Sequence, residues 1–220
     1  MGGKLIVFEG VEGCGKTTQL QRLREWLQSF PSFSPMPVVV TREPGGTELG
    51  LELRRLLQKE VGGKPIQDAA ELLLFAADRA QHVEEVLKPH LAGSALILCD
   101  RYTDSTVAYQ GYGRGLSLSL IEQLNQIATG GLESDLTLWL DIDVEQGLAR
   151  TKGRGVADRI ERAELAFHQR VQQGYTELAK AHPQRIVRVD ASLSEVAVQE
   201  QIQAILFQHL TRWYGGLGIR

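Results

Sequence analysis

Glycines, a lysine and a threonine lie close together near the start of the chain, in a spacing suited to phosphate binding. Residues 10–17 have the form G-x-x-x-x-G-K-T, between the apolar run 5–8 and a helical pattern from about residue 16. Glycines let the backbone curl so that its N–H groups point at an anion, and a helix N-terminus adds partial positive charge. Lys16 can reach the β- and γ-phosphates, and Thr17 offers a hydroxyl oxygen to magnesium. The segment therefore predicts a nucleoside-triphosphate site made of Gly10, Val11, Glu12, Gly13, Cys14, Gly15, Lys16, Thr17 and Thr18.

A second group of polar side chains follows the apolar run 95–99. Asp100 ends that run, at the position where proteins of this kind hold magnesium indirectly, and Arg101 comes next. If the chain is helical from residue 104, then Thr106, Tyr109 and Gln110 share one helix face. Such a row could hold a phosphate, a sugar and a base, or it could be a half-buried helix surface. The spacing alone does not decide between these two interpretations.

Two further segments offer weaker signals. Arg42 precedes Glu43 and a Pro-Gly-Gly turn, which would hold its guanidinium at the edge of a sheet, where it suits a phosphate. An ordinary turn with a solvent-facing arginine is the alternative. Phe75 and Arg79 are four residues apart in a long helical pattern, so they could stack on a base and donate to its carbonyl oxygen. A single phenylalanine on a helix is more often part of the core.

Basic residues and glycines alternate over residues 150–159, and this composition suits a lid over polyphosphate. A solvated surface loop is the alternative. The lid is favoured because Glu12 places a carboxylate in the phosphate loop where a cation would help transfer. Arg154 or a close neighbour is expected to compensate for that charge.

Composition excludes several classes of protein. The chain has 220 residues, a mass of 24.4 kDa and a net charge of −3, which fits one α/β domain and argues against nucleic-acid binding. Cys14 and Cys99 are placed as free thiols rather than as a disulfide, which favours a reducing compartment. The sequence shows neither a signal peptide nor a stretch of membrane-spanning length, so we expect a cytoplasmic protein without a membrane partner.

Apolar runs alternate with helical patterns along the whole chain. The runs lack a period of two, which predicts strands buried on both faces: 5–8, 38–41, 95–99, 136–140 and 185–189. The predicted helices cover about 16–29, 47–59, 68–90, 117–129, 159–181 and 193–211. This alternation predicts an α/β fold with a five-stranded parallel sheet flanked by helices, and ligands at the carboxyl ends of the strands.

Taken together, these segments closely resemble the thymidylate kinase family of nucleoside-monophosphate kinases. Residues 100–110 have the form D-R-Y-x-x-S-x-x-A-Y-Q, which is specific to that family, and the resemblance covers nearly the whole chain. It implies a three-layer P-loop NTPase fold in one domain, residues 1–220, with a lid at about 150–160. It also implies phosphorylation of dTMP to dTDP with ATP and Mg²⁺, in dTTP biosynthesis, by a homodimer.

The resemblance also implies roles for the donor residues. Lys16 and Thr17 look like the residues for the ATP phosphates and for magnesium, and Asp100 looks like the carboxylate near the metal. Glu12 in the loop with Arg154 in the lid is similar to the bacterial arrangement, in which the lid provides the catalytic arginine. Which basic residue of the lid acts is left open among Arg150, Lys152 and Arg154.

On the acceptor side, the resemblance assigns residues to the phosphate and the sugar. Arg42 and Arg101 resemble the arginines that grip the dTMP phosphate, and Glu12 resembles the carboxylate that faces the 3′-hydroxyl. Tyr109 matches the tyrosine that crowds the 2′ position and so favours deoxyribose. Gln110 lies beside it.

For the base, Phe75 resembles the thymine-stacking aromatic, Arg79 the donor to thymine O4, and Thr106 the contact to N3. Three alternatives compete with this interpretation. A related P-loop kinase would act on another acceptor, such as dUMP or a deoxynucleoside. A nucleotide-hydrolysing switch should carry a guanine-reading Asn-Lys-x-Asp segment, which the sequence lacks. A catalytically silent nucleotide-binding module would not need the complete phosphate loop.

Overall fold

A computed structural model describes residues 2–29, 36–58, 64–151, 160 and 163–215. Within these residues, five parallel strands form one sheet in the order β2-β3-β1-β4-β5, which confirms the predicted fold class. The strands are β1 (Lys4–Glu9), β2 (Val38–Arg42), β3 (Leu96–Asp100), β4 (Leu136–Asp141) and β5 (Ile186–Asp190).

Helices connect the strands in sequence. They are α1 (Lys16–Gln28), α2 (Glu48–Gln58), α3 (Asp68–His82), α4 (Lys88–Ala92), α5 (Thr103–Thr106), α6 (Leu118–Thr129), α7 (Val144–Thr151), α8 (Leu165–Ala181) and α9 (Glu195–Tyr214). Two stretches have π-helical geometry: Val83–Leu87 joins α3 to α4, and Val107–Gly113 continues α5.

The core lies on both faces of the sheet, as β1 illustrates. Ile6 and Phe8 belong to the apolar cluster that also contains buried residues of α1 and α9. Leu5 and Val7 face the other way, into a cluster with the segment Val83–Leu87. Because alternate residues of a strand point to opposite faces, continuous apolar sequence in β1 fills two core layers.

The prediction that all strands are buried on both faces is wrong for β2 and β5. Both strands include intermediate and exposed residues, and Val40 in β2 is 39 % exposed. Each of the two strands lies at an edge of the sheet, with a neighbouring strand on one side only.

Some helix boundaries also differ from the prediction. The sequence pattern predicts no helix at α7, and α8 begins at Leu165 rather than at residue 159. The helix predicted over 193–211 extends as α9 to Tyr214, whose side chain is buried. In the part of the chain that the structure covers, no helix has the length and apolar character needed to cross a membrane.

The strand register brings two functional candidates, Arg42 and Asp100, together at the carboxyl ends of the strands. Asp100 pairs with Phe8 of β1 on one side and with Arg42 of β2 on the other. Glu9, at the end of β1, therefore lies near both of them. The candidate site lies at these strand ends.

Candidate active site

The loop between β1 and α1 has the tight curvature that its glycines predict. Gly10, Gly13 and Gly15 have φ values of 142°, 72° and 97°, in or near the left-handed region that favours glycine. At Gly13, a Cβ atom would also overlap the carbonyl oxygen of Gly147 in α7. Gly15 precedes the first residue of α1, so the loop ends at the helix N-terminus. This arrangement suits anion binding.

Lys16 is held inside this loop. Its Nζ donates to the carbonyl oxygens of Gly10 and Val11, at 2.9 and 3.1 Å, and lies 3.4 Å from Cys14 Sγ. The side chain is buried, so the ammonium group is held at the loop and does not extend into solvent. Val11 and Cys14 are buried as well, and they support the loop from below.

Thr17 and Asp100 meet across the site. The Thr17 hydroxyl donates to Asp100 Oδ2 at 3.2 Å, which brings two oxygen ligands together near the phosphate loop. Oxygen donors are the ligands that Mg²⁺ prefers. Among the described residues, no cluster of three or more His, Cys, Asp or Glu side chains could hold a metal ion. A magnesium ion held by Thr17 and Asp100 would take its remaining ligands from phosphate oxygens and water.

A single cavity of about 600 Å³ joins the donor loop to the acceptor candidates. Of the predicted site residues, it is lined by Glu12, Gly13, Gly15, Lys16, Thr17, Thr18, Arg42, Phe75, Arg79, Asp100, Arg101, Thr106, Tyr109 and Gln110. Gly10, Val11 and Cys14 contact Lys16 instead. The cavity thus brings together segments that are far apart in the sequence.

Arg101 lies between the donor and acceptor sides of this cavity. Its Nη2 donates to Glu12 Oε1 at 2.6 Å and to Tyr109 OH at 3.1 Å, and its Nη1 donates to Ser105 Oγ at 3.1 Å. Its φ of 72° is left-handed, which costs a non-glycine residue free energy. Such strain persists where surrounding contacts impose it, and it clusters at functional sites.

Glu12 remains ionised in this environment. Burial alone would raise the pKa of its carboxyl, but the charges of Arg101 and Lys16 and the hydrogen bond from Tyr109 OH lower it to about 2. Glu12 is therefore ionised at neutral pH and forms a full ion pair with Arg101.

Glu9 fixes the backbone that carries Arg101. Its carboxylate is fully buried and accepts from the N–H groups of Tyr102 and Ser105, from Ser105 Oγ and from Tyr175 OH, at 2.6–3.1 Å. Burial and the nearby Asp104 raise its pKa, and Arg101 opposes them. No local pattern indicates this role for Glu9, because its partners Tyr102, Ser105 and Tyr175 are distant in the sequence.

Arg79 is 2 % exposed and is held by side chains from three elements. Its Nε donates to Glu43 Oε2 at 2.8 Å, and its Nη1 donates to Thr106 Oγ1 and Asn125 Oδ1. Its Nη2 donates to the carbonyl oxygen of Tyr102 at 3.0 Å. A guanidinium has five N–H groups, so one N–H of Arg79 has no partner among the described residues, and Arg79 lines the cavity.

Thr106, Tyr109 and Gln110 line the cavity although the helix is not regular. The α-helix ends at Thr106 and π-helical geometry begins at Val107, so the assumed α-helical spacing is wrong there. Gln110 Nε2 donates to the buried Glu71 Oε1 at 2.8 Å. The amide of Gln110 is therefore anchored to α3.

Arg54 of α2 is a cavity residue that the sequence did not indicate. Arg42 is exposed and lines the cavity, and Arg54 lines the same cavity. Arg54 Nη1 donates to the carbonyl oxygen of Pro44 at 2.9 Å. Arg54 lies twelve residues after Arg42, in the helix that follows the turn, and no local sequence pattern connects the two arginines.

The predicted lid is described only at its borders. Arg150 Nη1 donates to the carbonyl oxygen of Ala191 at 3.0 Å, and the lining of the cavity includes Thr151 and Ile160. Lys152 and Arg154 lie outside the described residues. Their roles stay predictions.

Comparison with known proteins agrees with this geometry. A family model described as thymidylate kinase matches residues 8–202. The chain belongs to the thymidylate kinase family. A thymidylate kinase of Nostoc punctiforme is 68 % identical over 211 residues, covering 96 % of this chain and 98 % of the relative. One from Thermosynechococcus vestitus is 50 % identical, covering 96 % of this chain and 90 % of the relative.

A solved structure extends the family likeness to three dimensions. The crystal structure of thymidylate kinase from Ehrlichia chaffeensis is 35 % identical and superposes with a TM-score of 0.76. The match covers 94 % of this chain and 100 % of that one. The similarity to this family therefore covers the sheet, its helices and nearly all of the sequence.

Proposed function

We propose that this chain transfers the γ-phosphoryl group of ATP to dTMP, giving ADP and dTDP. The observation that carries the proposal is the cavity that joins the phosphate loop to Arg101, Arg79 and Thr106. A pure ATPase would need a site for the donor and for water. This cavity also carries side chains suited to a second phosphate, a sugar and a base. The family relationship supports the same activity.

On the donor side, the loop N–H groups, Lys16 and the N-terminus of α1 hold the phosphates of ATP. Thr17 and Asp100 would hold Mg²⁺, which neutralises charge on the β- and γ-phosphates when bound. These groups orient the γ-phosphorus towards the acceptor.

On the acceptor side, Arg42 and Arg101 bind the phosphate of dTMP, and Arg54 adds a third positive charge to the same wall. An oxygen of that phosphate attacks the γ-phosphorus in line, so no covalent protein nucleophile is needed. Glu12 orients Arg101 through their 2.6 Å ion pair. Arg154 of the predicted lid, about residues 150–160, would supply the remaining positive charge during transfer.

The base is selected by hydrogen-bond polarity. Arg79 would donate its remaining N–H to an exocyclic acceptor, which thymine provides as O4. Cytosine has an amino group there, so two donors would meet. The Thr106 hydroxyl accepts from Arg79 with one lone pair and can accept the thymine N3–H with the other. A pocket built for these hydrogen bonds disfavours dCMP strongly.

Steady-state ADP release with dTMP, dUMP, dCMP and thymidine as acceptors tests the proposal. We expect dTMP to be the best acceptor, dCMP the worst, and ADP release without an acceptor to be negligible. Arg101→Ala should lower kcat with dTMP by about 10²–10³-fold, since it removes a charge-stabilising donor. Turnover that does not depend on an acceptor would contradict the proposal and favour a hydrolase.

Arg79→Lys tests the base contacts in the same assay. Lysine keeps the charge but loses the fork that contacts Glu43, Thr106 and the cavity together. We expect kcat/KM for dTMP to fall by about 10–100-fold with little change in the KM for ATP, because one charge-assisted hydrogen bond is lost. Arg55→Lys is the matched control, because Arg55 is an exposed arginine of α2. Equal effects of the two substitutions would contradict the assignment.

Assembly and location complete the proposal. We expect a homodimer, because α2, α3 and α6 pack side by side and carry exposed apolar side chains: Leu49, Leu56, Leu73, Leu118, Leu120 and Ile127. We expect no nucleic-acid partner, given the net charge of −3. Cys14 and Cys99 are buried free thiols, which fits a reducing compartment such as the cytoplasm.

A further inference from the structure

A buried carboxylate connects the phosphate-binding turn to the helix that carries the base contacts. Asp78 of α3 is 1 % exposed, and its Oδ1 accepts a hydrogen bond of 2.9 Å from the backbone N–H of Gly45. Gly45 belongs to the turn after β2 and lines the cavity. Asp78 itself lies outside the cavity lining, so it would act on a substrate through the turn and the helix that it joins.

The fold places Asp78 where it costs stability. Its Oδ2 is buried and has no hydrogen-bond partner among the residues that the structure describes. Glu43, Arg79 and His82 are the charged or titratable groups that face it, and Glu43 is already paired with both of the others. Burial and the Glu43 charge raise the pKa of Asp78 to about 6. An apolar side chain at this position would avoid that cost.

The turn and the start of α2 also pack closely against α3. A Cβ atom on Gly50 of α2 would lie 2.5 Å from Asp78 Oδ1, and one on Gly46 would lie 2.5 Å from His82 Cδ2. The two glycines allow the turn and the start of α2 to approach Asp78 and His82 closely. The hydrogen bond to Gly45 then fixes where the turn lies along α3.

We propose that Asp78 is a positioning residue that sets the distance between the phosphate and base contacts of the acceptor site. The turn carries Arg42, and α3 carries Phe75 and Arg79 on the cavity side. Asp78 joins these two elements, so that both ends of one mononucleotide are held together. This inference rests on the proposed function, because it takes the cavity as the dTMP site.

Asp78→Ala tests the inference by removing the acceptor for Gly45 N–H. Calorimetry compares the binding of dTMP with that of thymidine, which lacks the phosphate. We expect the affinity for dTMP and its KM to weaken by about 10-fold, as for loss of one buried charge-assisted hydrogen bond. The affinity for thymidine and the KM for ATP should stay at wild-type values, because the base contacts and the donor loop are left in place.

Asp78→Asn provides the rescue. Its amide oxygen can still accept from Gly45 N–H, so we expect dTMP affinity within about twofold of wild type, well inside the change set by one hydrogen bond. Asp68→Asn is the matched control, since Asp68 begins the same helix and is half exposed. If Asp78→Ala does not fold, Asp78→Ser replaces it, because its shorter side chain ends before the Gly45 N–H.

Several results would overturn the inference. Unchanged dTMP affinity in Asp78→Ala would show that the hydrogen bond does not position the turn. Parallel losses for dTMP, thymidine and ATP would show a general loosening of the fold. Failure of Asp78→Asn to restore binding would exclude the hydrogen bond as the cause. By contrast, a wild-type protein that binds dTMP without phosphorylating it would overturn the proposed function and leave the Asp78 comparison valid.

Discussion

Arg101 connects the donor loop to the acceptor helix through the two terminal nitrogens of one side chain. Glu12 comes from the loop, Ser105 and Tyr109 come from the acceptor segment, and Arg101 contacts all three. Its guanidinium also lies 4.8 Å from the centre of the Tyr109 ring. Because these contacts share one cation, a change at Glu12 is expected to alter the acceptor side as well as the loop.

The lowered pKa of Glu12 makes its contribution to folding depend on pH. The pKa falls from 4.5 to about 2 on folding, so the native state binds fewer protons than the unfolded state between these values. The stabilisation is therefore complete above about pH 5 and is lost as the pH falls towards 2. The full shift corresponds to about 3 kcal/mol, and partial solvent exposure of the pair reduces our expectation to about 2 kcal/mol.

Glu12→Gln removes the stabilisation that the ionised Glu12 carboxylate gives the fold. Urea unfolding should show the variant less stable than wild type by about 2 kcal/mol at pH 7, with the difference shrinking steadily between pH 5 and pH 3. Glu122→Gln, an exposed residue of α6, is the control and should show a small difference that does not change with pH. A Glu12→Gln deficit of the same size at pH 7 and pH 3 would show that the carboxylate charge does not stabilise the fold.

The sequence was sufficient for residues whose motif is local, and insufficient for those held by distant partners. Lys16 and Thr17 were assigned from a pattern of eight residues, and Asp100 and Arg101 from a strand end. The ion pair between Glu43 and Arg79 spans thirty-six positions, so no local spacing indicates it. Arg54 was missed for a related reason, since only the folded turn brings it to the cavity.

Among the elements, α7 supports the phosphate loop through direct backbone contact. Gly13 and Gly147 approach so closely that a Cβ atom on either would overlap the backbone of the other segment. The same helix leads into the predicted lid after Thr151. The donor loop and the base of the lid therefore share one packing contact.

Three alanine substitutions separate close packing from backbone conformation. Gly13→Ala meets both a steric overlap and a left-handed φ, and should lower the free energy of unfolding by about 3–4 kcal/mol. Gly147→Ala meets the overlap with the Glu12 carbonyl without a left-handed φ, so we expect a loss of about 1–3 kcal/mol. Gly15→Ala has open space for the Cβ atom but a similar left-handed φ, so we expect a loss of about 1–2 kcal/mol in the free energy of unfolding.

Urea unfolding at pH 7 measures all three variants, and the KM for ATP reports on the loop. Gly15→Ala serves as the internal control, because it keeps the strain and lacks the overlap. Equal destabilisation by Gly13→Ala and Gly15→Ala would show that the contact with α7 is not tight in solution.

The predicted elements agree with the structure where apolar runs are long, and disagree where helices are short or irregular. Every predicted strand is present, because continuous apolar runs bounded by turn residues mark buried parallel strands. The helix α7 has eight residues, of which Val144 and Gly147 are buried, too few to show a helical period. The π-helical stretch Val107–Gly113 follows tertiary packing against α8, which no period of 3.6 indicates.

For the whole molecule, the exposed apolar side chains of α2, α3 and α6 are the feature that a monomer does not explain. Ile127 of α6 is 78 % exposed and Leu73 of α3 is 56 % exposed. The two helices pack against each other. Symmetric dimers use the same patch on both subunits, so each residue contributes twice. Helices α2 and α6 both pack against α3, which carries the proposed base contacts Phe75 and Arg79, so pairing there would also stabilise the proposed acceptor site.

Ile127→Lys and Leu73→Lys test the proposed dimer. Each places two charges in an interface with two-fold symmetry and removes two apolar contacts of about 1.5–3 kcal/mol, so dimer affinity should fall by about 10²–10⁴-fold. Sedimentation velocity over a concentration series should show wild type as a dimer and both variants as monomers. Val196→Lys on α9 is the control, since Val196 is 58 % exposed but lies on another helix, and it should leave the dimer intact. A wild-type chain that sediments as a monomer at every concentration would contradict the proposal, and equal dissociation by all three variants would place the interface elsewhere.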